Sequence, residues 1–180
     1  MLKVQSVVIE VEVKAQIDDL SEVREKIKTL GGELQSIKRQ VDVYLQHPCR
    51  NFKLTDEALR LRKSNGKAYL TYKGPKLSPR SKSRLEVEVE VSDLKKTLEI
   101  LVKVGFKPIG EVKKIREVWK LKEAIINLDE VENLGIFIEI EIKSKDMRKA
   151  EESIRKILEK LNIPAIKTTR KSYLEMLLEK

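Results

Sequence analysis

The sequence predicts an α+β fold, a closed antiparallel β-barrel that forms a polar tunnel with helices packed outside. Charged and aliphatic residues alternate along several segments, as in EVEVK at residues 10–14 and IFIEIEI at 136–142. Successive side chains of a strand point to opposite faces, so each of these strands carries charge on one face and aliphatic bulk on the other. The connections between strands are short, which favours antiparallel pairing, because parallel neighbours need a crossover at every step.

The first half of the chain is predicted to contain a strand, a helix and then several strands. A strand is predicted over 5–14, and Asp18 or Asp19 caps an amphipathic helix that ends at Gly31 and Gly32. A long extended segment follows over 33–46. Residues 57–63 and 67–74 are predicted to pair as a hairpin, because the Asn-Gly pair at 65–66 is a favoured two-residue turn.

The Pro-containing segment GPKLSPRSKS at 74–83 is predicted to be a loop, and the second half of the chain begins later, at Gly105. A charged strand at 84–91 and a helix from about Asp93 to Val104 follow the loop. The remaining predicted elements are strands over 107–120, 122–130 and 135–143, a helix from about Asp146 to Leu161 and a short helix containing Tyr173. No long linker divides the chain, so residues 1–180 are predicted to form a single domain.

The composition narrows the class of partner. The chain has 180 residues, of which 37% are charged, and a net charge of +9, which favours an anionic partner such as nucleic acid, a membrane surface or a phosphorylated small molecule. Only 4% of the residues are aromatic, which argues against a single-stranded nucleic-acid partner. The N-terminus does not resemble a secretory leader and the apolar stretches are too short to cross a bilayer. We therefore expect a cytoplasmic protein without a membrane partner.

The metal chemistry open to this chain is limited by its side chains. Cys49 is the only cysteine and His47 the only histidine, so no disulfide framework or zinc cluster can be assembled. Any catalytic metal would need oxygen ligands, which points to Mg²⁺ or Mn²⁺. The charged strand faces could supply these oxygens from Glu10, Glu12, Glu139 and Glu141.

The charged faces could lie in solvent or inside a tunnel. Alternating charge is by itself typical of a solvated sheet face. The amphipathic helices, however, need the aliphatic faces for packing, and the charged faces mix Arg and Glu with few small polar residues. If the sheet closes with its helices outside, the charged faces line a tunnel. The cations brought together would be Arg60, Arg62, Lys73, Arg84, Lys114 and Arg116.

Such a cluster of cations requires neutralisation, because a like-charged pair at about 4 Å costs roughly 4 kcal/mol at an effective dielectric near 20. The glutamates of the tunnel supply part of it. A polyanion such as a triphosphate could supply the rest, held by bidentate arginine forks. The carboxylates would then hold a divalent cation against the phosphate oxygens.

The ordered set of motifs resembles the CYTH superfamily, the triphosphate tunnel metalloenzymes. EVEVK is similar to the family's ExExK signature, which is weak by itself. The likeness continues in order through QVDVY at 40–44, ALRLR at 58–62, TYKGP at 71–75, RLEVEVE at 84–90, KIR at 114–116, LDEVENLG at 128–135, EIE at 139–141 and SYLE at 172–175. The whole set covers nearly the full chain and is specific.

The resemblance implies a barrel of about eight strands that binds triphosphate with Mg²⁺ or Mn²⁺. By similarity, the residues that contact the phosphates would be Lys14, Arg60, Arg62, Lys73, Arg84, Lys114 and Arg116. Those that hold metal, directly or through water, would be Glu10, Glu12, Asp129, Glu139 and Glu141. Tyr44 and Lys73 match a catalytic tyrosine and lysine of the thiamine triphosphatase branch, and the alternative for them is a cross-strand pair without chemistry.

Hydrolysis of an inorganic or organic triphosphate, with water as the nucleophile, is the first functional expectation. A class IV adenylate cyclase that converts ATP to cyclic AMP and pyrophosphate is the alternative, although the sequence contains no linear motif for adenine. An alternative of another class is a non-catalytic protein that binds polyphosphate or nucleotide. The expected partner is therefore tripolyphosphate, thiamine triphosphate or ATP; nucleic acid is not expected, and a homodimer is left open.

Overall fold

The computed structural model of the chain describes residues 9–78, 81–169 and 171–180, without the side chains of residues 9–10, 76–78, 81–84 and 165. The strands in these ranges are β1 (Ile9–Ile17), β2 (Glu33–Gln46), β3 (Ala58–Ser64), β4 (Lys67–Ser78), β5 (Ser81–Val91), β6 (Lys107–Leu121), β7 (Ala124–Val131), β8 (Gly135–Ser144) and β9 (Thr168–Thr169). The helices are α1 (Leu20–Thr29), α2 (Phe52–Thr55), α3 (Leu94–Lys103), α4 (Met147–Lys160) and α5 (Tyr173–Leu178), with a 3-10 turn at Ala165–Lys167.

The strands form a single antiparallel sheet in the order β5, β4, β3, β2, β6, β7, β8, β1, β9. Strand β9 contributes two residues that pair with β1, so eight long strands build the sheet. Hydrogen bonding does not join β5 to β1 among the described residues, but Cα atoms of these two strands come within 8 Å of each other. The sheet therefore curls until its two ends meet, and the predicted antiparallel barrel with outer helices is confirmed.

The outer face of the barrel carries the hydrophobic core. Aliphatic residues of β1, β6, β7 and β8 pack beneath α1 and α4, with Ile126, Ile138, Ile140 and Ile154 almost completely buried. A second cluster places Leu61 and its neighbours beneath α3. The aliphatic strand faces are thus used by the helices, which leaves the charged faces for the interior of the barrel.

The helices begin where the sequence predicts. The side chains of Asp19, Asp93 and Asp146 each accept hydrogen bonds from backbone N–H groups in the first turn of α1, α3 and α4. The turn between β3 and β4 places Asn65 and Gly66 at positive φ, the conformation that the Asn-Gly pair favours. None of the helices in the described ranges combines the length and apolarity needed to cross a bilayer.

The predicted loop at 74–83 is wrong over its described part, which belongs to the hairpin of β4 and β5. The pairing of these strands shifts register between Lys73 and Lys76, and this irregularity accommodates Pro75, which cannot donate a backbone hydrogen bond. The first strand also extends beyond its predicted end, to Ile17, because Ala15 and Ile17 continue the buried face; residues 5–8 of that prediction lie outside the described residues.

Candidate functional site

The tunnel-facing positions follow from strand register. On β1, Val11 and Ala15 belong to the outer core, so the residues between them face inward. Cross-strand pairing then aligns Lys14 with Glu139 and Glu12 with Glu141. The inward set on the described side chains is Glu12, Lys14, Gln40, Asp42, Tyr44, Arg60, Arg62, Thr71, Lys73, Glu86, Glu88, Lys114, Arg116, Asn127, Asp129, Glu139 and Glu141.

One buried ion network lies on the wall formed by β1, β6, β7 and β8. Arg116 donates from Nε to Asp129 at 2.7 Å and also contacts Glu139. Lys14 lies 3.1 Å from Glu139, and Lys114 lies 3.5 Å from Asp129. Three predicted phosphate contacts and two predicted metal ligands are therefore brought together, and they neutralise one another in part.

Burial has the largest effect on the ionisation of Lys114 in this network. Burial, and then repulsion by Arg116, lower the pKa of the Lys114 ammonium from 10.5 to about 8, even though Asp129 and Glu139 oppose the shift. Burial alone would raise the pKa of Glu139, but the charges of Arg116, Lys14 and Lys114 hold it well below its ordinary value. Lys114 is thus a buried cation whose charge this wall does not fully compensate.

A second ion pair lies on the adjoining wall, where Arg62 of β3 meets Asp42 of β2, the strand that pairs with β6. The guanidinium donates from Nε and Nη2 to both carboxylate oxygens, at 2.6 and 2.7 Å. Burial opposes ionisation of Asp42, but the hydrogen bonds and charge of Arg62 lower the pKa of this carboxyl below its ordinary value. Arg62 is therefore already held in a fork geometry.

Arg60 is the next inward-facing residue of β3 after Arg62, and its hydrogen bonds are less complete than those of Arg62. It is 8% exposed, and its Nη2 donates to Thr71 Oγ1 at 3.3 Å and lies 3.7 Å from Glu88. The Nε of Arg60 is buried and has no hydrogen-bond partner. A buried guanidinium N–H without an acceptor is costly, and an anionic ligand in the tunnel would supply that acceptor.

Tyr44 and Lys73, the predicted catalytic pair, have separate surroundings. Lys73 Nζ donates to Glu86 of β5 at 2.9 Å. Burial, and then the negative charge of Asp42, raise the pKa of the Tyr44 hydroxyl above its ordinary value. No hydrogen bond between the two is found in the described part of the chain, and their joint catalytic role stays a prediction.

Helix α5 closes one end of the tunnel through a residue that the sequence analysis did not assign to the site. The Tyr173 hydroxyl donates to Asp129 at 2.8 Å, and the Nζ of Lys14 lies 4.0 Å from the centre of its ring. Leu174 of α5 packs with Val112 in the same cluster. Strand or helix periodicity does not signal this contact, because Tyr173 and Asp129 are 44 residues apart, but the resemblance of SYLE at 172–175 to the family could have marked Tyr173 as a site residue.

The predicted metal ligands fall into two groups. Glu12 and Glu141 are cross-strand partners on the inward face, and both remain partly exposed. Glu141 Oε1 accepts a hydrogen bond from Asn127 Nδ2 at 3.0 Å. Two carboxylates on paired strands present the oxygen atoms that Mg²⁺ and Mn²⁺ prefer as ligands. Asp129 and Glu139 are held by Arg116 and lysines instead. Within the described residues no three acidic, histidine or cysteine side chains converge as a metal cluster.

Two predicted site residues cannot be placed. The side chains of Glu10, a predicted metal ligand, and of Arg84, a predicted phosphate contact, lie outside the described residues. Asp42 was missed as a site residue although the same alternation rule that selects Arg60 and Arg62 puts it on the inward face of its strand.

Comparisons with known proteins agree with this architecture. A family model described as CYTH domain matches residues 8–173. A protein of Methanocaldococcus jannaschii, named as a candidate adenylate cyclase, is 42% identical over 171 residues, which cover 93% of this chain and 98% of that protein. The solved structure of the PH1819 protein of Pyrococcus horikoshii has a TM-score of 0.81 and 45% identity over 94% of this chain and 98% of its own. The PH1012 protein of the same organism has a TM-score of 0.81 and 32% identity, with 93% and 98% covered.

Proposed function

Since the chain belongs to the CYTH domain family, we propose that it is a metal-dependent enzyme that binds a triphosphate in the barrel tunnel and hydrolyses it. The observation that carries the proposal is Arg60, a buried guanidinium whose Nε lacks an acceptor inside a tunnel lined by other cations. A neutral oxygen could accept this one hydrogen bond but would not interact favourably with all of the surrounding cations. A ligand with several anionic oxygens would.

The concentration of cations on the inward face supports a polyanion. The inward cations on described side chains are Lys14, Arg60, Arg62, Lys73, Lys114 and Arg116, interspersed with the inward carboxylates Glu12, Asp42, Glu86, Glu88, Asp129, Glu139 and Glu141. Burial, and then the charge of Arg116, lower the pKa of Lys114, so an anion beside its ammonium would be favourable. A linear triphosphate carries charge of the opposite sign at a spacing that several arginines and lysines can contact together.

The chain's own residues would act mainly by position and charge. Hydrolysis forms a bond from a water oxygen to the terminal phosphorus and breaks the bridging P–O bond, and the remaining diphosphate leaves as an anion. Arg60, Arg62 and Arg116 would stabilise the negative charge on the transferring group and on the leaving oxygen. Tyr44 and Lys73 are proposed to orient the water or the leaving group. Glu12 and Glu141 would hold Mg²⁺ or Mn²⁺, which when bound neutralises phosphate charge.

Adenylate cyclase activity is a second candidate, because the relative at 42% identity over nearly the full chain is named for it. In that reaction the ribose 3′-hydroxyl attacks the α-phosphate of ATP and pyrophosphate leaves. The same cations would serve both reactions, so the products distinguish them.

The proposal is tested by incubating the protein with tripolyphosphate, thiamine triphosphate or ATP, each with Mg²⁺ or Mn²⁺. Orthophosphate, pyrophosphate and cyclic AMP are measured in every reaction. Metal-dependent release of orthophosphate supports hydrolysis, and cyclic AMP supports the cyclase. If calorimetry shows that a triphosphate binds but none of the six reactions yields a product, both proposed activities are contradicted and a non-catalytic binding protein is favoured.

A substitution of Arg60 links the activity to the tunnel. Arg60→Met should lower kcat/KM by about 10- to 100-fold, because hydrogen bonds to charged groups contribute about 1.5–3 kcal/mol. Arg155→Met is the matched control, since Arg155 is exposed on α4 and pairs only with Glu159 on the same helix. Equal rates for Arg60→Met and the wild type would place the reaction outside this tunnel.

A further inference from the structure

Gln40 is the second buried tunnel residue with an unpaired polar atom. It lies on the inward face of β2, 5% exposed, and its Nε2 donates to Ser64 Oγ at 3.5 Å. Its Oε1 has no hydrogen-bond partner. Arg60 lacks an acceptor, but Gln40 lacks a donor, so the two residues require different chemistry from a ligand.

A triphosphate chain cannot satisfy Gln40. Its oxygens are acceptors and, near neutral pH, mostly unprotonated, so they complete Arg60 and repel the carbonyl oxygen of the Gln40 amide. A ligand that pairs with this oxygen therefore needs a donor outside its phosphate chain. A nucleoside carries such donors in its ribose hydroxyls and in the exocyclic amine of adenine.

The position of Gln40 is at the edge of the cations proposed to bind phosphate. Gln40 of β2 pairs directly with Lys114 of β6, and Arg62 lies beside it on β3, held by Asp42. Its neighbour Ser64 ends β3 at the exposed turn with Asn65. A ribose joined to a triphosphate bound by these cations would lie in the same part of the tunnel as the Gln40 amide.

The wall around Gln40 is fixed in place by the β3–β4 turn. The side chain of Asn65 accepts a hydrogen bond from the backbone N–H of Arg39 and donates to the carbonyl oxygen of Ile37. These two bonds connect the turn to β2 at Ile37 and Arg39, just before Gln40. A polar group held rigidly before binding recognises a ligand at little entropic cost.

Resting on the proposed function, we infer that Gln40 determines specificity for a nucleoside triphosphate, with its Oε1 accepting a hydrogen bond from a ribose hydroxyl or from the adenine amine. The cations then bind any triphosphate, and Gln40 separates nucleoside triphosphates from tripolyphosphate.

The test compares Gln40→Met with the wild type on ATP and tripolyphosphate, by kcat/KM and by calorimetric binding. Methionine has a similar size but no acceptor of comparable strength. For ATP, kcat/KM and affinity should fall about tenfold, the effect of one good hydrogen bond, and for tripolyphosphate they should not change. Gln35→Met is the matched control, because Gln35 is an exposed glutamine of the same strand.

Analogues identify the donor. If 2′-deoxyATP or 3′-deoxyATP binds the wild type and Gln40→Met with equal affinity, the hydroxyl that the analogue lacks is the donor. If ITP, which lacks the adenine amine, binds both proteins with equal affinity, the amine is the donor. Equal losses for ATP and tripolyphosphate, or no loss for either, overturn the inference while the proposed function stands. If neither compound binds the wild type, the proposed function fails and this inference fails with it.

Discussion

Replacing Lys114 by methionine should stabilise the protein at pH 7 in the absence of added ligand. Burial and the charge of Arg116 lower the pKa of the Lys114 ammonium from 10.5 to about 8. The folded protein therefore disfavours the charged lysine by about 3 kcal/mol, at about 1.4 kcal/mol for each pKa unit. Lys114→Met removes this cost, and Asp129 and Glu139 keep their contacts with Arg116.

The gain should depend on pH in a defined direction. Below pH 8 the ammonium is protonated in the folded and the unfolded chain, so the full gain is present. Between pH 8 and pH 10.5 the folded protein releases this proton while the unfolded chain retains it, and the contribution of Lys114 to wild-type stability rises. The advantage of Lys114→Met over the wild type shrinks across this window and is lost above it.

Urea denaturation at about pH 7 and about pH 10 measures both effects, and a gain of about 3 kcal/mol corresponds to a rise in Tm of about 6–12 °C for a chain of this size. Lys113→Met is the matched control, because Lys113 points outward from the same strand and pairs with Glu111. The reasoning is refuted if Lys114→Met and the wild type unfold with equal free energy at pH 7, or if the advantage grows toward pH 10.

Three further predictions concern the same tunnel. The Kd of tripolyphosphate, measured by calorimetry, should rise as the pH increases from about 7 to about 9, because Lys114 loses its charge, and Lys114→Arg should flatten this dependence. Asp42→Asn leaves buried Arg62 without its counter-charge and should lower stability by about 3–5 kcal/mol, with a larger Tm increase on adding tripolyphosphate than the wild type shows. Tyr173→Phe should cost about 1 kcal/mol in urea denaturation, because Asp129 loses one of its donors; an unchanged midpoint would contradict this.

The sequence predicts the strands and their inward faces because both follow from a local rule. Residues two apart share a face, so Arg60 and Arg62, or Glu139 and Glu141, can be assigned to one surface without knowing any partner. The need of the helices for the aliphatic faces then assigns the charged faces to the other side of the sheet, and closure into a barrel was implied by the family resemblance. The same rule would have selected Asp42, since it alternates with Tyr44 on its strand.

The contacts across the tunnel do not follow from such a rule. Glu139 was expected to bind metal, but its surroundings contain Lys14 and Arg116, which reach it from different strands. Strand periodicity gives the face of a residue, not the residue it meets across the barrel. The position of Tyr173 on Asp129 depends on how α5 crosses the end of the barrel, and no spacing in the chain encodes that crossing.

The ion pairs of the tunnel also explain why a polyanion is a better ligand than a simple anion. Asp42 accepts from the Nε and Nη2 of Arg62, and Asp129 and Glu139 contact Arg116, so the protein's own carboxylates already occupy one bidentate face of each guanidinium. A ligand must replace these contacts or share them. A single phosphate that forms a bidentate contact with one arginine disrupts the ion pair that this arginine makes with a carboxylate. A triphosphate can contact Arg60, Arg62 and Arg116 together while the carboxylates remain close, and each additional contact adds to its binding. The association constant should therefore rise from orthophosphate to pyrophosphate to tripolyphosphate, and the rise should be much larger than in proportion to the number of phosphate groups.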